Sequence, residues 1–277
     1  MIGLIFAHGS DELKQLMTNA ELAVLCLTSA LGGGINAVAG GGTLLTFPAL
    51  IAALAKAHPD DTAKVIANGT STVALFPASV TALWGLRREY QTLSHWAAKL
   101  VPPSIVGGVA GTLLVTQLDE KIFANLVPWL ILIAASLFAL QPIIAKRLGI
   151  GKPHEEPHGK TVVGVMLFQF AVGVYGGYFG AGIGILMLSA LAMMGMSDIH
   201  AMNGLKSLLG SCINGSAVAI WIWAGKVDWS LAAPMALSGC VGAFLAAHYS
   251  RKLPRALVRW FVICVGFTLA TYYFVRG

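Results

Sequence analysis

The chain has 277 residues, of which 57% are hydrophobic and only 11% are charged, and its formal net charge is +6. A typical soluble domain carries about 25% charged residues, so this composition excludes an ordinary water-soluble fold. It also excludes disordered, collagen-like and nucleic-acid-binding chains, which need the opposite balance of charged and apolar residues. The composition therefore predicts a membrane protein whose excess Lys and Arg lie in loops facing anionic lipid.

Stretches free of Asp, Glu, Lys and Arg divide the chain into eight apolar segments. In chain order they are 22–55, 65–86, 100–118, 122–145, 161–197, 207–225, 229–250 and 260–275. A hydrocarbon core about 30 Å thick takes about 20 helical residues, so most of these segments suit one crossing each. The sequence therefore predicts an all-α, multi-pass protein of the inner (plasma) membrane.

The first and fifth segments are too long for one crossing, and a glycine cluster interrupts each of them. The clusters lie at 32–42 and 173–184. Each separates two apolar arms of roughly 12 to 15 residues, a length found more often in re-entrant segments than in full spans. These two segments are therefore predicted to be glycine-broken or re-entrant hairpins.

The two halves of the chain show an internal repeat. Three groups of residues match in the same order, each at a constant offset, which favours a duplication. The matches align Gly32, Gly41, Leu45, Ala49 and Leu50 with Gly173, Gly182, Leu186, Ala190 and Leu191; Asn68-Gly69 with Asn203-Gly204; and Gly108, Gly111 and Trp129 with Gly239, Gly242 and Trp260. We expect a first transmembrane repeat at 1–145, a polar linker at 146–160 and a second repeat at 161–277.

The loop charges indicate that the two repeats are inverted. Arg87 and Arg88 follow the second segment of the first half, whereas the equivalent loop of the second half has only Lys226. Between the third and fourth segments the bias reverses, as expected if equivalent loops lie on opposite faces. Inversion requires an odd number of crossings per half, so each glycine-broken segment crosses the membrane zero or two times. Its short arms favour zero, which gives a hairpin that enters and leaves on one face. The linker then lies inside and both termini outside.

The hairpin tips and the helices that follow them are predicted to bind an anion. Irregular backbone at membrane depth persists only where it is buried in protein or lines a cavity. Glycine lets main-chain N–H groups approach a ligand, and a helix that begins after the tip directs its positive end there. The candidate substrate-binding residues are Asn36, Gly40, Gly41, Gly42, Asn68, Thr70, Ser71, Gly180, Gly182, Asn203, Lys206 and Ser207. Helix packing by the glycines and capping by the polar residues are the alternatives.

Lys206 is the charge most deeply placed in a predicted span. An ionisable residue at such a position suggests a functional role, although a long side chain about 9 Å into a helix can also snorkel to the interface. Every Asp and Glu lies in a loop or at a segment end, which disfavours a cation carrier. No nucleophile–base pair or metal-binding set is found at depth, so we expect neither an enzyme nor a cofactor.

The glycine-rich openings at 40–48 and 178–184, with Asn68-Gly69-Thr70-Ser71 downstream, resemble the TauE/SafE sulfite exporter family over nearly the whole chain. The resemblance implies a duplicated membrane protein that moves sulfite, sulfonates and related sulfur-containing anions, often outward. The family often has a Thr-Ser pair where this chain reads Leu205-Lys206-Ser207. The two half-sites are therefore expected to differ, with a consequence for anion selectivity.

Together these features predict a secondary transporter that exports a small sulfur-containing anion, such as sulfite or a sulfonate, by alternating access at a glycine-rich midplane site. An anion channel, an uptake permease and a non-transporting membrane assembly protein are the alternatives. Besides the anion and membrane lipid, the expected partners include a second copy of the chain. Small-residue faces on the third and seventh segments are compatible with such a homodimer, and no nucleic acid is expected.

Overall fold

The computed structural model describes residues 18–58, 61–91, 93–148, 160–194, 196, 198–249 and 255–276, and within these residues its regular secondary structure is entirely helical. The helices are α1 (Asn19–Ala39), α2 (Thr43–Leu54), α3 (Thr62–Gly85), α4 (Arg87–Gln91), α5 (Ser94–Gln117), α6 (Glu120–Arg147), α7 (Lys160–Tyr178), α8 (Ile183–Met193), α9 (Ile199–Trp223), α10 (Trp229–Tyr249) and α11 (Arg255–Arg276). Six of them, α1, α3, α5, α6, α9 and α10, are long and apolar enough to cross a membrane. The predicted all-α, multi-pass class is confirmed.

The first glycine cluster ends in a break at which α2 folds back along α1. Gly40 has a φ of 76°, a left-handed conformation that glycine adopts without strain, and its N–H donates to the carbonyls of Ile35 and Asn36. The two arms touch closely, since a Cβ on Gly42 would lie 2.1 Å from the carbonyl oxygen of Gly32. At the far ends of the arms Lys56 forms an ion pair with Glu21. The two helices therefore make a helical hairpin.

The second glycine cluster contains the equivalent break, between α7 and α8. Gly180 and Gly182 have φ values of 82° and 78°. Three side-chain donors satisfy the carbonyl groups that this break exposes: Thr112 Oγ1 donates to Gly177 O at 3.0 Å, Asn68 Nδ2 to Tyr178 O at 2.9 Å and Tyr175 Oη to Ala181 O at 2.7 Å. A buried helix end needs such partners, so these donors stabilise the break.

Short arms were predicted on both sides of each glycine cluster. This prediction was wrong for the arm that precedes each cluster. Helices α1 and α7 have 21 and 19 residues, and α1 runs through most of its cluster and α7 through half of its cluster. Only α2 and α8, with 12 and 11 residues, have lengths close to the expected range. The physical reason is packing: most glycines at 32–34 and 173–177 stay helical while a neighbouring chain segment occupies the space of the missing side chain.

Each half of the chain packs one of its helices along a helix of the other half. Helix α5 of the first half lies along α7 of the second, and α10 of the second half lies along α1 of the first. A Cβ on Gly177 would be 2.1 Å from Gly108 O, and one on Gly33 would be 2.2 Å from Gly239 O. The same glycine-lined interface therefore occurs twice with the halves interchanged. The small-residue faces that suggested a homodimer contact helices of the same chain, and the homodimer stays a prediction.

At one end of the bundle, polar contacts connect three parts of the chain: the start of α3, the start of α6, and the segment between α9 and α10. Lys226 Nζ lies 2.5 Å from Glu120 Oε1, and Thr62 Oγ1 donates to Glu120 Oε2 at 2.5 Å. The backbone N–H of Asp228 donates to Thr70 Oγ1 at 2.9 Å. Helix α4 follows the far end of the 24-residue α3, roughly 36 Å away by helical rise, and packs against α9.

Most of the predicted linker lies outside the described residues. Helix α6 continues to Arg147, so the first two linker residues are helical, and description resumes at Lys160 with the start of α7. The basic residues Arg251 and Lys252, which contributed to the predicted orientation, also fall outside the described part of the chain.

Candidate binding site at the helix breaks

A polar cavity lies where the two helix breaks approach α3 and α9. Its volume is about 40 Å³, counted as the space open to the centre of a water-sized sphere, and about 380 Å³ when the open space at its mouth is included. One water molecule needs about 10–15 Å³ in the first measure, so the cavity can hold a few waters or one compact ion. The lining residues are Asn36, Gly40, Ser79, Ala82, Ile183, Gly184, Met187, Lys206, Ser207, Gly210, Ser211 and Asn214.

Four of the residues predicted from the sequence meet in this cavity: Asn36 and Gly40 from the first half, and Lys206 and Ser207 from the second. Lys206 is 6% exposed, so it does not snorkel to the surface of the protein. A buried ammonium group raises the electrostatic potential around it far more than an exposed one. This position favours a negatively charged ligand.

The start of α8 supplies main-chain donors to the same cavity. Its N-cap residue, Gly182, makes no side-chain capping bond, and the first two helical residues, Ile183 and Gly184, line the cavity. The first N–H groups of a helix have no acceptor within the helix and form its positive end. Gly40 approaches so closely that a Cβ on it would lie 3.1 Å from the Cα of Gly184. The two breaks therefore meet at an uncapped helix start.

Hydrogen bonds also join α1, α3 and α9 around the cavity. Asn36 Nδ2 donates to Ser79 Oγ at 2.9 Å, and Ser79 Oγ donates to Leu75 O at 3.1 Å. Ser211 Oγ donates to the backbone oxygen of Ser79 at 3.4 Å. These bonds hold three helices from both halves in one arrangement.

The internal repeat points to two lining residues that are not among the candidates from the sequence. The offset that aligns Asn68 with Asn203 also aligns Ser79 with Asn214, and both line the cavity. The signal was therefore present but would have required following the repeat deeper into α3 and α9. Gly184 lies within the glycine cluster at 173–184, whereas Met187, Gly210 and Ser211 had no comparable signal, because small and apolar residues are common throughout the chain.

The polar residues predicted near the start of α3 do not line this cavity. Asn68 caps the broken end of α7, as described above. Thr70 accepts from the N–H of Asp228, and Ser71 Oγ shares a 2.6 Å hydrogen bond with Thr46 Oγ1. Asn203, the counterpart of Asn68, donates at 2.8 Å to Ile199 O in its own helix. These four side chains bond to other groups of the protein.

The remaining predicted glycines shape the surroundings of the cavity. A Cβ on Gly41 would lie 2.3 Å from the ring of Phe138, and Gly42 packs on Gly32 as noted above. Gly180 and Gly182 reverse the chain between α7 and α8 with their positive φ angles. All four glycines permit the close approach of the breaks without lining the cavity.

The first half has a closed region where the second half has the Lys206 cavity. The repeat aligns Ser71 with Lys206 and Thr46 with Met187, so the Thr46–Ser71 bond occupies the equivalent place. Nearby, four aromatic residues form a cluster: Phe47, Phe123, Tyr178 and Phe179. The ring of Phe47 lies 5.3 Å from that of Phe179 and 6.2 Å from that of Phe123. Since Phe123 is one helical turn after Glu120, this aromatic cluster fills the space towards the Glu120–Lys226 end.

Comparison with known proteins gives consistent matches over nearly the whole chain. The family described as Sulfite exporter TauE/SafE matches residues 25–273. A protein of Escherichia coli (strain K12) named "Probable membrane transporter protein YfcA" is 27% identical over 248 residues, which cover 88% of this chain and 86% of the relative. A "Probable membrane transporter protein" of Haemophilus influenzae is 27% identical over 250 residues, covering 90% and 92%. A third, "Probable membrane transporter protein ORF9" of Sinorhizobium sp., is 26% identical over 252 residues, covering 90% of each chain. No solved structure matches the chain.

Proposed function

Because the chain belongs to the sulfite exporter TauE/SafE family, whose members are membrane transporters and not enzymes, we propose that it is a secondary transporter exporting a small sulfur-containing anion. Sulfite and sulfonates are the proposed substrates, the cavity between the helix breaks is the proposed site, and the inner (plasma) membrane is the proposed location. One observation carries the proposal: buried Lys206 and the uncapped start of α8 face the same cavity.

The electrostatics of the cavity support an anion rather than a cation. A unit charge 4 Å from the Lys206 ammonium group would interact by about 4 kcal/mol at an effective dielectric constant of about 20. The partial positive charge at the start of α8 adds to this attraction. None of the described residues that line the cavity is Asp or Glu. A bound anion would therefore be attracted by both groups and would meet no carboxylate among the described lining residues.

We further propose that the two halves are inverted repeats whose hairpins each enter and leave on one face. The ion pair between Glu120 and Lys226 supports this arrangement. In a parallel duplication with four plain crossings per half, the loops that carry these two residues would lie on opposite faces. The contact of α2 with α1 and the Lys56–Glu21 pair support the first hairpin. The exchanged packing of α5 and α10 is expected for repeats related by a pseudo-two-fold axis.

The difference between the halves suggests how access alternates. The cavity lies towards the α4 end: Ala82 is about one turn before the end of α3, and Lys206 is about two turns after the start of α9. The equivalent region of the first half is closed by the aromatic cluster. If the halves exchange these conformations, the site opens to the other face. With the α4 end inside, an inside-negative potential would favour export by about 2.3 kcal/mol per charge per 100 mV.

Anion-dependent thermal stabilisation of the detergent-purified protein tests the proposed site. A ligand at 100 times its dissociation constant stabilises the folded state by about 2.7 kcal/mol, a readily measured change. We expect sulfite or a sulfonate to raise the Tm of the wild type, and Lys206→Ala to abolish that rise. Lys64→Ala removes a Lys from an ion pair near the start of α3, away from the cavity, and should leave the rise intact. Loss of the rise in both variants, or in neither, would contradict the role of Lys206.

Counterflow in proteoliposomes tests transport itself. Only a carrier exchanges labelled substrate against a gradient, so its absence with net anion flux would indicate a channel. Exchange that accumulates substrate only inwards would indicate an uptake permease. A protein that binds and moves no anion would fit the membrane assembly role instead.

A further inference from the structure

Two asparagines at equivalent positions of the repeat use their side-chain amides in different ways. Asn68 Nδ2 donates across the halves, at 2.9 Å, to Tyr178 O at the broken end of α7. Asn203 Nδ2 donates at 2.8 Å to Ile199 O, four residues earlier in α9. In this conformation, therefore, one amide is bonded to the opposite half and the other to its own helix.

The repeat supplies each asparagine with a counterpart of the other's acceptor. The offset that aligns the two helix breaks pairs Tyr178 with Ala37, near the end of α1. The offset that aligns the two asparagines pairs Ile199 with Lys64, four residues before Asn68. Every residue has a backbone carbonyl, so these acceptors exist whatever the side chain is. Each asparagine therefore has one acceptor in its own helix and one at the break in the other half.

The part of α9 that carries Asn203 lies near the end of α1. Asn36, the residue before Ala37, lines the same small cavity as Ser207, which follows Asn203 by about one helical turn. The end of α1 is thus beside the region of the second asparagine, as the end of α7 is beside the first.

The other two side-chain donors at the second break have no equivalent in the first. Thr112 aligns with Ala243, and Tyr175 aligns with Gly34. Neither alanine nor glycine has a side-chain donor. Of the three positions that supply a donor to the second break, the asparagine alone keeps one in the other half of the repeat. Asn203 is therefore the residue that can cap the first break in the same way.

The bonds of Asn68 do not fix its amide completely. Asn68 is 1% exposed, and its Oδ1 has no hydrogen-bond partner among the residues that the structure describes. A buried acceptor without a partner is unfavourable, so this position of the side chain is only half satisfied. The amide can leave it without breaking a complete set of bonds.

From these contacts we infer that Asn68 and Asn203 are positioning residues that exchange tasks when the transporter changes the side on which its site is open. In the conformation described above, Asn68 caps the second break. In the other conformation Asn203 caps the first break at Ala37 O, and Asn68 turns to Lys64 O. This inference rests on the proposed function, since it assumes alternating access by inverted repeats.

The two bonds of each amide differ in importance. Ile199 O and Lys64 O lie inside helices whose backbone N–H groups already donate to such carbonyls, so a further bond from the amide adds little. A carbonyl at a buried helix break needs a donor from outside the helix. Removing one amide should therefore destabilise mainly the conformation in which that amide caps a break.

Two cysteine reporters, in a background without the four native cysteines, measure the ratio of the two conformations. Phe47→Cys lies in the aromatic cluster that closes one end, and Ala82→Cys lines the cavity towards the other end. A hydrophilic thiol reagent reacts with each reporter when its end is open. We expect Asn68→Ala to speed the reaction at Phe47→Cys and to slow it at Ala82→Cys, with a change in ratio of about fivefold, as for one hydrogen bond.

Asn203→Ala should have the opposite effect on both reporters. Its Tm should stay near that of the wild type, because in this conformation the amide bonds only within its own helix. The combined variant Asn68→Ala/Asn203→Ala should return the ratio close to the wild-type value. Ser238→Ala is the control, since both hydrogen bonds of Ser238 Oγ also stay within one helix, α10, and it should leave the ratio unchanged.

The outcomes separate the inference from the proposed function. If the wild type exchanges anions in the counterflow assay but the two asparagine variants shift the ratio in the same direction, the inference is wrong and the proposed function stands. An unshifted ratio in Asn203→Ala, or an equal shift in Ser238→Ala, has the same meaning. A wild type that neither binds nor moves an anion overturns the proposed function, and the inference with it. If Asn68→Ala does not fold, Asn203→Ala and its control decide the matter alone.

Discussion

Single residues decide the chemistry of the cavity, and they differ between the repeats. Where the first half has Ser71 bonded to Thr46, the second has Lys206 beside Met187. Among the described residues, the two halves therefore do not form equivalent sites, and the proposed anion site lies on the side of Lys206. Asn68 and Asn203 also differ in this conformation, since the first caps the opposite half and the second bonds within its own helix. Equivalent sequence positions therefore have different tasks here.

Gly210→Ala should reduce the space for a ligand without harming the fold. A Cβ at this position would meet only Met187 Cε, at 3.9 Å, which is an ordinary contact with another lining residue. We expect unchanged or slightly higher stability, because Ala favours a helix by up to about 1 kcal/mol over Gly. Anion affinity should fall, and fall further for larger anions.

The thermal shift produced by sulfite and by a sulfonate measures this effect. Gly164→Ala is the control, because a Cβ there meets nothing within 4 Å on an exposed part of α7. It gains the same helix propensity and should bind like the wild type. If Gly210→Ala binds every anion with wild-type affinity, the cavity is not the place where the anion binds.

Whole helices position the cavity through glycine-lined contacts between the halves. Helices α1 and α7 stay regular up to the breaks because α10 and α5 pack where side chains would otherwise be. Close backbone approach through small residues is a general means of helix association in membranes, where apolar burial gives little driving force. The breaks follow only where a glycine adopts a positive φ.

Adding a methyl group at the tightest of these contacts should destabilise the protein. A Cβ on Gly242 would lie 1.8 Å from Ala30 O, and one on its counterpart Gly111 would lie 2.0 Å from Val174 O. Both neighbours are backbone, so a helix must move. We expect Gly242→Ala and Gly111→Ala each to cost about 1–3 kcal/mol, with similar values because the interfaces are equivalent.

Thermal unfolding in detergent compares the two variants with Gly164→Ala, which should be as stable as the wild type. A large effect at one glycine and none at the other would contradict the equivalence of the two interfaces.

At the scale of the whole molecule, the halves interlock instead of forming separate bodies. One hydrophobic core contains residues from both halves, such as Phe47, Ile131, Phe179 and Trp221. The Glu120–Lys226 pair joins the halves again at one end of the bundle. A change in the relative position of the halves must therefore break or remake this pair and the aromatic cluster beside it.

Lys226→Glu should loosen the closure at that end. The change replaces an attraction with a repulsion between partly buried side chains, and the combined variant Glu120→Lys/Lys226→Glu should restore it. We expect a shift of about 1 kcal/mol, roughly fivefold in the ratio of open to closed states. A cysteine at Phe47, in a background without the four native cysteines, should react faster with a membrane-impermeant thiol reagent.

Lys64→Glu provides the matched control. It disrupts the pair with Asp61, in which both partners belong to the first half near the start of α3. Cysteine reactivity should stay at the reference value. Equal acceleration by Lys64→Glu would mean that surface charge near this end, and not the link between the halves, governs access.

Inversion of the repeats predicts the faces of two equivalent loops. Cysteines at Arg87 and Trp229 lie after the first plain crossing helix of each half, α3 and α9, and both positions are exposed. We expect labelling from opposite sides of the membrane. Labelling from the same side would refute the inverted arrangement, whatever the transport assays show.

The sequence alone determined the membrane class and the helical fold, and it predicted the repeat and a role for Lys206, because these follow from composition, segment length and residue identity. It could not locate the breaks within the glycine clusters, since glycine suits both a tight helix contact and a positive φ, and only the packing partner decides between them. It also could not tell that Asn68, Thr70 and Ser71 bond within the protein while Ser79, Gly210 and Asn214 line the cavity. Those assignments depend on which helices of the two halves meet, and contacts between residues far apart in the chain arise only when the tertiary structure forms.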